Sequence, residues 1–125
     1  MEHSQSNEHR STIQQALHDY KEGLGHFREE MPEIAHKYVD FTEACFAEGK
    51  LSKKDKQLIA LGISIYAQDE YCIIYHTKGC LDEGCDREEI LELVSVTGAF
   101  GGGAALSQAF TLVHECVDEF GGQVH

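Results

Sequence analysis

Cys72 and His76 are the residues of this chain whose types and spacing point most directly to chemistry. They stand four residues apart in the stretch "AQDEYCIIYH", which covers residues 67–76. On a helix, residues four apart lie one above the other on the same face, so the thiol and the imidazole would be neighbours. An imidazole in that place can accept the thiol proton, and the thiolate is the form of cysteine that attacks electrophiles. The pair therefore indicates thiol chemistry.

The residues just before Cys72 both favour and oppose a reactive thiol. If Asp69 is the N-cap of a helix, Cys72 lies in the first turn, where unsatisfied backbone N–H groups and the helix dipole favour a thiolate. The carboxylates of Asp69 and Glu70 act in the opposite direction, because nearby negative charge raises the pKa of a thiol. A purely structural alternative makes Cys72 a small buried residue, His76 a core histidine and Asp69 only a helix cap.

Helix start and stop signals along the chain predict about six helices and an all-α fold. Start signals for the first five helices stand at Ser11, Pro32, Ser52, Asp69 and Asp86. A sixth helix, from about Ala104 to Phe120, comes after a glycine junction at 101–103 and carries an apolar stripe typical of a core helix. The third, "KKDKQLIALGISIYA", is dense enough in apolar residues to predict central burial. We expect a flexible N-terminus at 1–10, one domain at 11–120 and a flexible tail at 121–125.

Charge and composition disfavour several classes of function. The chain of 125 residues has 22 acidic and 10 basic side chains, and its net charge of −12 repels nucleic acid and anionic membranes. Apolar runs such as "LIALGISIYA" are too short to span a bilayer, and "MEHSQSNEHR" does not resemble a signal peptide. Five cysteines without an export signal favour free thiols over disulfides. We expect a cytoplasmic protein that binds neither nucleic acid nor membranes.

Metal and phosphate sites have little support in the sequence. The eight histidines are scattered, and no HExxH or paired CxxC spacing appears. Cys72, His76 and Cys80 form one stripe, but three ligands in line on a straight helix cannot surround a metal without help from elsewhere, such as His114. The glycines 101–103 lack the preceding strand and following Lys-Ser/Thr of a phosphate-binding loop. We therefore expect no metal and no cofactor.

The segment from Lys53 to Leu106, a little under half the chain, resembles the carboxymuconolactone decarboxylase and AhpD-like alkylhydroperoxidase family. The matching features are "LIAL", "EYCIIYHTKGCLDEGCDREEI" and "GGGAAL", in this order. The resemblance implies an AhpD-like helical domain that forms homo-oligomers, commonly trimers or hexamers, with the site near a subunit contact. In the AhpD-like branch, a CxxCxxxH motif at a helix start acts together with a glutamate on the preceding helix.

The resemblance implies roles for four residues of this chain. Cys72 matches the cysteine that attacks the peroxide, and His76 matches the histidine that relays protons. Asp69 stands where the family has its resolving cysteine, and Gln57 stands, by spacing, where it has the glutamate. Gln57 can orient an imidazole by hydrogen bonding but cannot take a proton. Oxidised Cys72 has no local partner either, since Cys80 lies about 12 Å away at helical rise.

These observations favour a thiol-dependent peroxidase that reduces a small hydroperoxide through Cys72 and His76 without a CxxC dithiol. The reductant would be an unknown thiol, and resolution would need another cysteine of the chain, another subunit or a small thiol. Two alternatives stay open. One is a decarboxylase-like lyase acting on a small acidic lactone, for which only Lys78 and Arg87 offer nearby positive charge. The other is a non-catalytic oligomer that kept the fold.

Overall fold

Helices form nearly all of residues 11–121, the part of the chain that this computed structural model describes, and no strand occurs in that part. In chain order the helices are α1 (Thr12–Glu30), α2 (Pro32–Phe46), α3 (Lys53–Ala67), α4 (Glu70–Asp82), α5 (Arg87–Gln108) and α6 (His114–Phe120), with a π-helical turn at Ala109–Val113. The prediction of an all-α fold with about six helices is confirmed. The predicted flexible segment 1–10 and residues 122–125 of the predicted tail lie outside the described residues.

The start signals seen in the sequence stand at the helix starts. The side chains of Ser11 and Asp86 form capping boxes at α1 and α5, which satisfy backbone N–H groups that a helix start leaves without partners. The Ser52 hydroxyl accepts the N–H of Asp55 at 3.0 Å and begins α3. Pro32 is the first residue of α2, where a missing N–H costs nothing. Local chemistry thus determines where these helices begin.

The hydrophobic core lies between α3, α4, α5 and the C-terminal helical turns. Its fully buried members include Leu61 and Ile65 of α3, Ile73 of α4, Ile90 of α5 and Cys116 of α6. Burying an aliphatic side chain of this size contributes about 1.5–3 kcal/mol. Packing of α4 in this core fixes the orientation of the helix. It therefore also fixes the direction of the other face of α4, which carries Cys72 and His76.

The prediction of central burial for α3 is wrong for one of its faces. Leu61, Ser64 and Ile65 are buried, whereas the opposite face leaves large apolar side chains 49–64 % exposed, at Ile59, Ile63 and Tyr66. The other helices of the same chain cover α3 on one side only. A helix that is rich in apolar residues is expected to be buried on both faces. The sequence does not say whether the helices that bury it belong to the same chain.

The C-terminal half of the chain bends at Gly102 and changes register at the π-helical turn. Gly102 has φ 71° and ψ −162°, a conformation that suits glycine, so the predicted glycine junction is present. The π-helical turn adds a residue to the helical repeat and so rotates α6 about the helix axis relative to α5. As a result Ala109 and Val113 are buried. Phe110, an apolar residue of the segment for which the sequence predicts a core stripe, is instead 66 % exposed.

The helical segment Arg87–Phe120 is long and apolar enough, by length and composition, to cross a membrane. The apolar runs that stand out in the sequence are shorter than this segment. Its most apolar window has a mean hydropathy of 1.4 and is 22 % buried. The core helix of a soluble protein passes the same test, and the break at Gly102 interrupts this segment, so the segment alone is weak evidence for a membrane span.

Candidate active site

The start of α4 places Cys72 in the first turn of a helix. An oxygen of the Asp69 carboxylate accepts the backbone N–H of Cys72 at 3.1 Å, so Asp69 is the N-cap and α4 begins at Glu70. This is the helix start that the sequence predicts. Cys72 is half-buried there, on the same face as His76 one turn further along.

A cavity of about 260 Å³ lies in front of Cys72 and His76. Its walls come from α1 to α4, and its lining residues are Tyr20, Tyr38, Thr42, Glu43, Phe46, Gln57, Cys72, Tyr75 and His76. Three of the four residues singled out in the sequence, Gln57, Cys72 and His76, therefore share one space. The fourth, Asp69, does not line the cavity, but its carboxylate accepts the backbone N–H of Cys72.

The imidazole of His76 is held in one orientation by three neighbours. Its Nδ1 lies 2.9 Å from Oε1 of Gln57, so the Nδ1–H donates to that oxygen and the lone pair of the neutral ring is at Nε2. The ring of Phe46 stacks on the imidazole, with centroids 5.6 Å apart and an interplanar angle of 12°. Tyr75 meets it edge-on at 5.3 Å. Gln57 thus acts on His76 as an orienting acceptor.

Phe46 reaches His76 because the end of α2 is tied to the start of α3. The ammonium group of Lys56 donates to the carbonyl oxygens of Cys45 and Ala47, at 2.9 and 2.6 Å. These carbonyls stand at the C-terminus of α2, where a helix leaves acceptors unsatisfied and where positive charge is favourable. Lys56 therefore connects the helix that carries Phe46 to the helix that carries Gln57.

Burial makes His76 a base at neutral pH. Desolvation lowers the pKa of its imidazole below the usual 6.5, and the negative charge of Asp69 opposes this shift without overcoming it. The ring is therefore uncharged near pH 7. Its free Nε2 can accept a proton there, which a protonated ring could not do.

The thiol of Cys72 stays protonated at neutral pH. Burial raises its pKa above the usual 9.0, and the charge of Asp69 and a hydrogen bond to that carboxylate raise it further. The negative charge that the sequence places beside Cys72 raises its pKa as expected, and desolvation adds to this effect. Within residues 11–121 no hydrogen bond joins this thiol to His76. The pair is thus a neutral thiol and a neutral imidazole in one cavity.

Three tyrosines and a carboxylate complete the cavity, and the sequence analysis did not assign them to it. Tyr20 of α1 and Tyr75 of α4 have ring centroids 5.4 Å apart, and Tyr38 of α2 lines the same space. Burial raises the pKa of Tyr20, and the neighbouring Tyr38, Tyr75 and Cys72 raise it further. Glu43 adds a carboxylate from α2. In the sequence these side chains belong to ordinary helical stripes, and no local signal marks them as cavity walls.

Gly79 is a further residue that the sequence analysis missed. A Cβ atom on Gly79 would lie 2.6 Å from Cδ and 3.1 Å from Nε2 of Gln57, closer than side chains pack. The bare backbone of α4 at this point therefore makes room for the amide that orients His76. The signal in the sequence was a glycine inside a helix, where glycine is unfavourable unless close packing requires it.

No candidate metal site is present in the described part of the chain, where no three His, Cys, Asp or Glu side chains are placed to share an ion. His114, considered from sequence as a possible additional ligand, lies instead beside Arg87 and Asp118. Its ring nitrogens are 3.0 Å from the guanidinium of Arg87 and 3.2 Å from the carboxylate of Asp118.

Comparison with known proteins identifies the family. Residues 32–115 match the carboxymuconolactone decarboxylase family. A crystal structure of an apo carboxymuconolactone decarboxylase family protein from Legionella pneumophila superimposes with a TM-score of 0.82 at 31 % identity, covering 86 % of this chain and 96 % of that one. An uncharacterised protein of the cox locus of Paracoccus denitrificans is 36 % identical over 72 residues, which are 58 % of this chain and 65 % of that protein's length. The chain belongs to the carboxymuconolactone decarboxylase family.

Proposed function

We propose that this protein is a thiol-dependent peroxidase of the AhpD-like type, which reduces small hydroperoxides at Cys72 with His76 as general base. The observation that carries the proposal is the shared cavity, in which a neutral imidazole with its lone pair at Nε2 accompanies a half-buried thiol. Because the thiol is protonated and the imidazole is not, the thiol proton is removed during the attack and not beforehand.

In the first step the Cys72 thiol proton passes to Nε2 of His76 while the sulfur attacks the hydroperoxide. The sulfur attacks the distal oxygen of the hydroperoxide, the O–O bond breaks, and the alkoxide that leaves takes the proton from His76. The products are an alcohol and the sulfenic acid of Cys72, so the sulfur has been oxidised by two electrons and the peroxide reduced by two. Gln57 keeps Nδ1 protonated throughout, which leaves Nε2 as the site of proton exchange.

A second thiol has to complete the cycle. Asp69 occupies the position of a resolving cysteine, so a small thiol would attack the sulfenic sulfur and release water, and a second one would restore the Cys72 thiol with formation of a disulfide. This one-cysteine cycle uses no metal and no cofactor. It fits a cavity that has an open side toward solvent.

The charges around the cavity favour neutral substrates. Glu43 lines it and Asp69 borders it, while none of its described lining residues is Lys or Arg. A carboxylate substrate would meet negative charge without a cationic partner. Neutral hydroperoxides avoid this cost, and for that reason the lyase acting on an acidic lactone is the weaker candidate.

A non-catalytic oligomer is the competing candidate, and one observation favours it. Asp69 both caps α4 and raises the pKa of Cys72, which suppresses the reactivity of the thiol at neutral pH. A protein that kept the family fold and lost its chemistry would show this arrangement. Measured reactivity of Cys72 separates the two candidates.

We also propose that the protein acts in the cytoplasm as a homotrimer or homohexamer. Large apolar side chains stand exposed on α2, α3 and α5, including Phe41 at 65 %, Ile63 at 64 % and Phe100 at 82 %. Monomeric soluble proteins rarely leave such side chains uncovered over neighbouring helices. Packing against other copies of the chain would cover them.

The experiment that tests the proposal is intact mass spectrometry after graded additions of cumene hydroperoxide. We expect the wild-type protein to gain one oxygen atom at Cys72, trapped as the sulfenic acid with dimedone, and the Cys72→Ser variant to lose this product. Cys116→Ser is the matched control, since Cys116 is fully buried and lies outside the cavity. A wild-type Cys72 that reacts no faster than free cysteine near neutral pH would leave the non-catalytic oligomer as the function.

A further inference from the structure

Two buried thiols, Cys80 and Cys85, meet at the C-terminal end of α4, away from the cavity. Cys80 is 0 % and Cys85 4 % exposed. Both are free cysteines, and the proposed peroxidase mechanism uses neither. Cys80 is in the helix, whereas Cys85 lies in the connection 83–86 between α4 and α5.

The backbone at this end of α4 has a geometry that brings the two cysteines together. The N–H of Cys85 donates to the carbonyl of Cys80 at 2.9 Å, and the N–H of Gly84 donates to the carbonyl of Leu81 at 3.0 Å. With Gly84 at φ +91°, these two bonds form a Schellman motif. A side-chain contact between these two positions frequently accompanies the motif, and here both positions hold thiols.

We propose that Cys80 and Cys85 form a second redox site, a dithiol that a hydroperoxide converts into a disulfide across the end of α4. The six-residue hydrogen-bonded turn places the backbone nitrogen of Cys85 2.9 Å from the carbonyl oxygen of Cys80. Such closeness favours a disulfide, which requires Cα atoms about 4.4–6.8 Å apart. Each thiol also acts on the pKa of the other, which groups do only when they are close in space. The fold therefore keeps these two side chains as neighbours.

Cys85 is the cysteine placed to react first. It is the more exposed of the two, and it lies outside the regular helix. Burial and the charge of Glu89 raise its pKa, while the hydrogen bond from Cys80 and the ammonium of Lys54 act in the opposite direction. Within residues 11–121 no cation acts on the pKa of Cys80, and its side chain is fully buried. Oxidation at this pair is therefore slow and begins at Cys85.

The chemistry balances in two steps. The Cys85 sulfur attacks the distal oxygen of the hydroperoxide, the O–O bond breaks, and the alcohol leaves with the thiol proton, which gives the Cys85 sulfenic acid. The Cys80 sulfur then attacks the Cys85 sulfur, the S–O bond breaks, and the hydroxyl leaves as water with the Cys80 proton. Two thiols are oxidised by two electrons in total, and one hydroperoxide is reduced to an alcohol and water.

The test uses a Cys45→Ser/Cys72→Ser protein, which lacks the exposed thiol and the cavity thiol and keeps Cys80, Cys85 and Cys116. The folded protein is incubated with excess tert-butyl hydroperoxide, denatured in N-ethylmaleimide and digested with trypsin. Cleavage after Lys78 and Arg87 places both cysteines in the single peptide 79–87. We expect this peptide to escape labelling. Its mass is expected to be about 2 Da below that of the unlabelled dithiol peptide, because disulfide formation removes two hydrogens. Cys116, equally buried and without a thiol neighbour, is expected to remain labelled.

Two further samples keep the test decisive. The wild-type protein yields the same peptide, because Cys72 falls in a different tryptic fragment, so a folding defect of the variant cannot hide the result. Adding Cys80→Ala to the variant is expected to abolish the light peptide. The inference is overturned if the peptide keeps two labelled thiols after Cys72 of the wild type is fully oxidised, or if Cys85 pairs only with another chain. Because the variant lacks Cys72, its result does not depend on the proposed peroxidase activity.

Discussion

Gly79 of α4 and Gln57 of α3 occupy adjoining space: a Cβ on Gly79 would lie 2.6 Å from Cδ of Gln57. The same amide accepts the Nδ1–H of His76 at 2.9 Å. A backbone position without a side chain therefore controls the orientation of the imidazole three residues before it. A side chain introduced at Gly79 is therefore expected to affect the reaction rate and the stability of the fold differently.

Replacing Gly79 with alanine is expected to displace the Gln57 amide and lower the rate of hydroperoxide reduction. Losing a hydrogen bond of about 0.5–1.5 kcal/mol corresponds to a rate loss of about 2- to 12-fold. Stability is expected to change by less than about 1 kcal/mol, because the preference for alanine over glycine inside a helix, about 0.5–1 kcal/mol, offsets most of the lost hydrogen bond. Steady-state kinetics and thermal unfolding of the same sample measure both effects.

Two comparisons show whether Gly79 acts through Gln57. In a Gln57→Ala background the Gly79→Ala change is expected to leave the rate nearly unaltered, because the displaced amide is already absent. Gly23→Ala is the matched control, since Gly23 lies inside α1 and an added Cβ there meets nothing within 4 Å. Equal rate losses for Gly79→Ala with and without Gln57 would refute the assigned link.

The rate of reaction at Cys72 is expected to fall in acid with a midpoint below pH 6.5. Burial lowers the pKa of His76, and only its neutral form can accept the thiol proton. Toward alkaline pH the rate is expected to keep rising past pH 9, because the pKa of Cys72 is raised. A pH series of alkylation by iodoacetamide measures this profile, and a rate that rises no further between pH 7 and pH 10 would indicate a preformed thiolate.

His76 also links stability to pH. In the unfolded chain the imidazole has its usual pKa near 6.5, while in the folded protein that pKa is lower. Between these two pKa values the folded state therefore binds fewer protons than the unfolded state. The free energy of unfolding is highest above pH 6.5 and decreases as the pH falls toward the folded pKa. Unfolding midpoints in urea between pH 5 and 7.5 are expected to show this loss, and His76→Gln is expected to remove it.

Asp69→Asn is expected to make Cys72 more reactive at neutral pH. Asparagine keeps the N-cap hydrogen bond to the backbone of Cys72 and removes the charge that raises the pKa of the thiol. Alkylation rates at pH 7.5 measure the increase, which we expect to be several-fold. Glu70→Gln, which removes the same charge from the exposed neighbouring position, is the control and is expected to change the rate less.

Asp69→Cys is expected to convert the one-cysteine site into a dithiol site. The new cysteine would stand three residues before Cys72 at the start of α4, where the spacing permits a disulfide. After one equivalent of hydroperoxide we expect a disulfide between positions 69 and 72 in place of a dimedone-reactive sulfenic acid. A persistent sulfenic acid in this variant would contradict the placement of the two side chains.

Phe100→Glu is expected to weaken assembly of the protein without unfolding it. Phe100 is 82 % exposed within the chain, so a charge there disturbs contacts between copies and not the core. Light scattering after size exclusion is expected to give a smaller mass for this variant than for the wild type, with unchanged circular dichroism. Thr12→Glu, an exposed change with equal charge, is the control, and a wild type that is already monomeric would refute the proposed oligomer.

The sequence by itself determined the local parts of this protein. Start signals at Ser11, Ser52, Asp69 and Asp86 act on backbone groups two or three residues away, so they were sufficient to place helix starts. The same N-cap and the spacing of four put Cys72 and His76 on one face of α4. Such relationships depend on helix geometry alone and need no knowledge of what packs against the helix.

Only the tertiary structure decided the protonation states of Cys72 and His76 on that face. Gln57, Phe46 and Tyr20 reach His76 and Cys72 from three other helices, and burial by those helices lowers one pKa and raises the other. The space at Gly79 likewise exists only because α3 crosses α4 at that point. Desolvation depends on everything that surrounds a group in space, whereas sequence spacing describes only neighbours on the same element. That is why the sequence located the thiol and the imidazole on one face of α4 but not their protonation states.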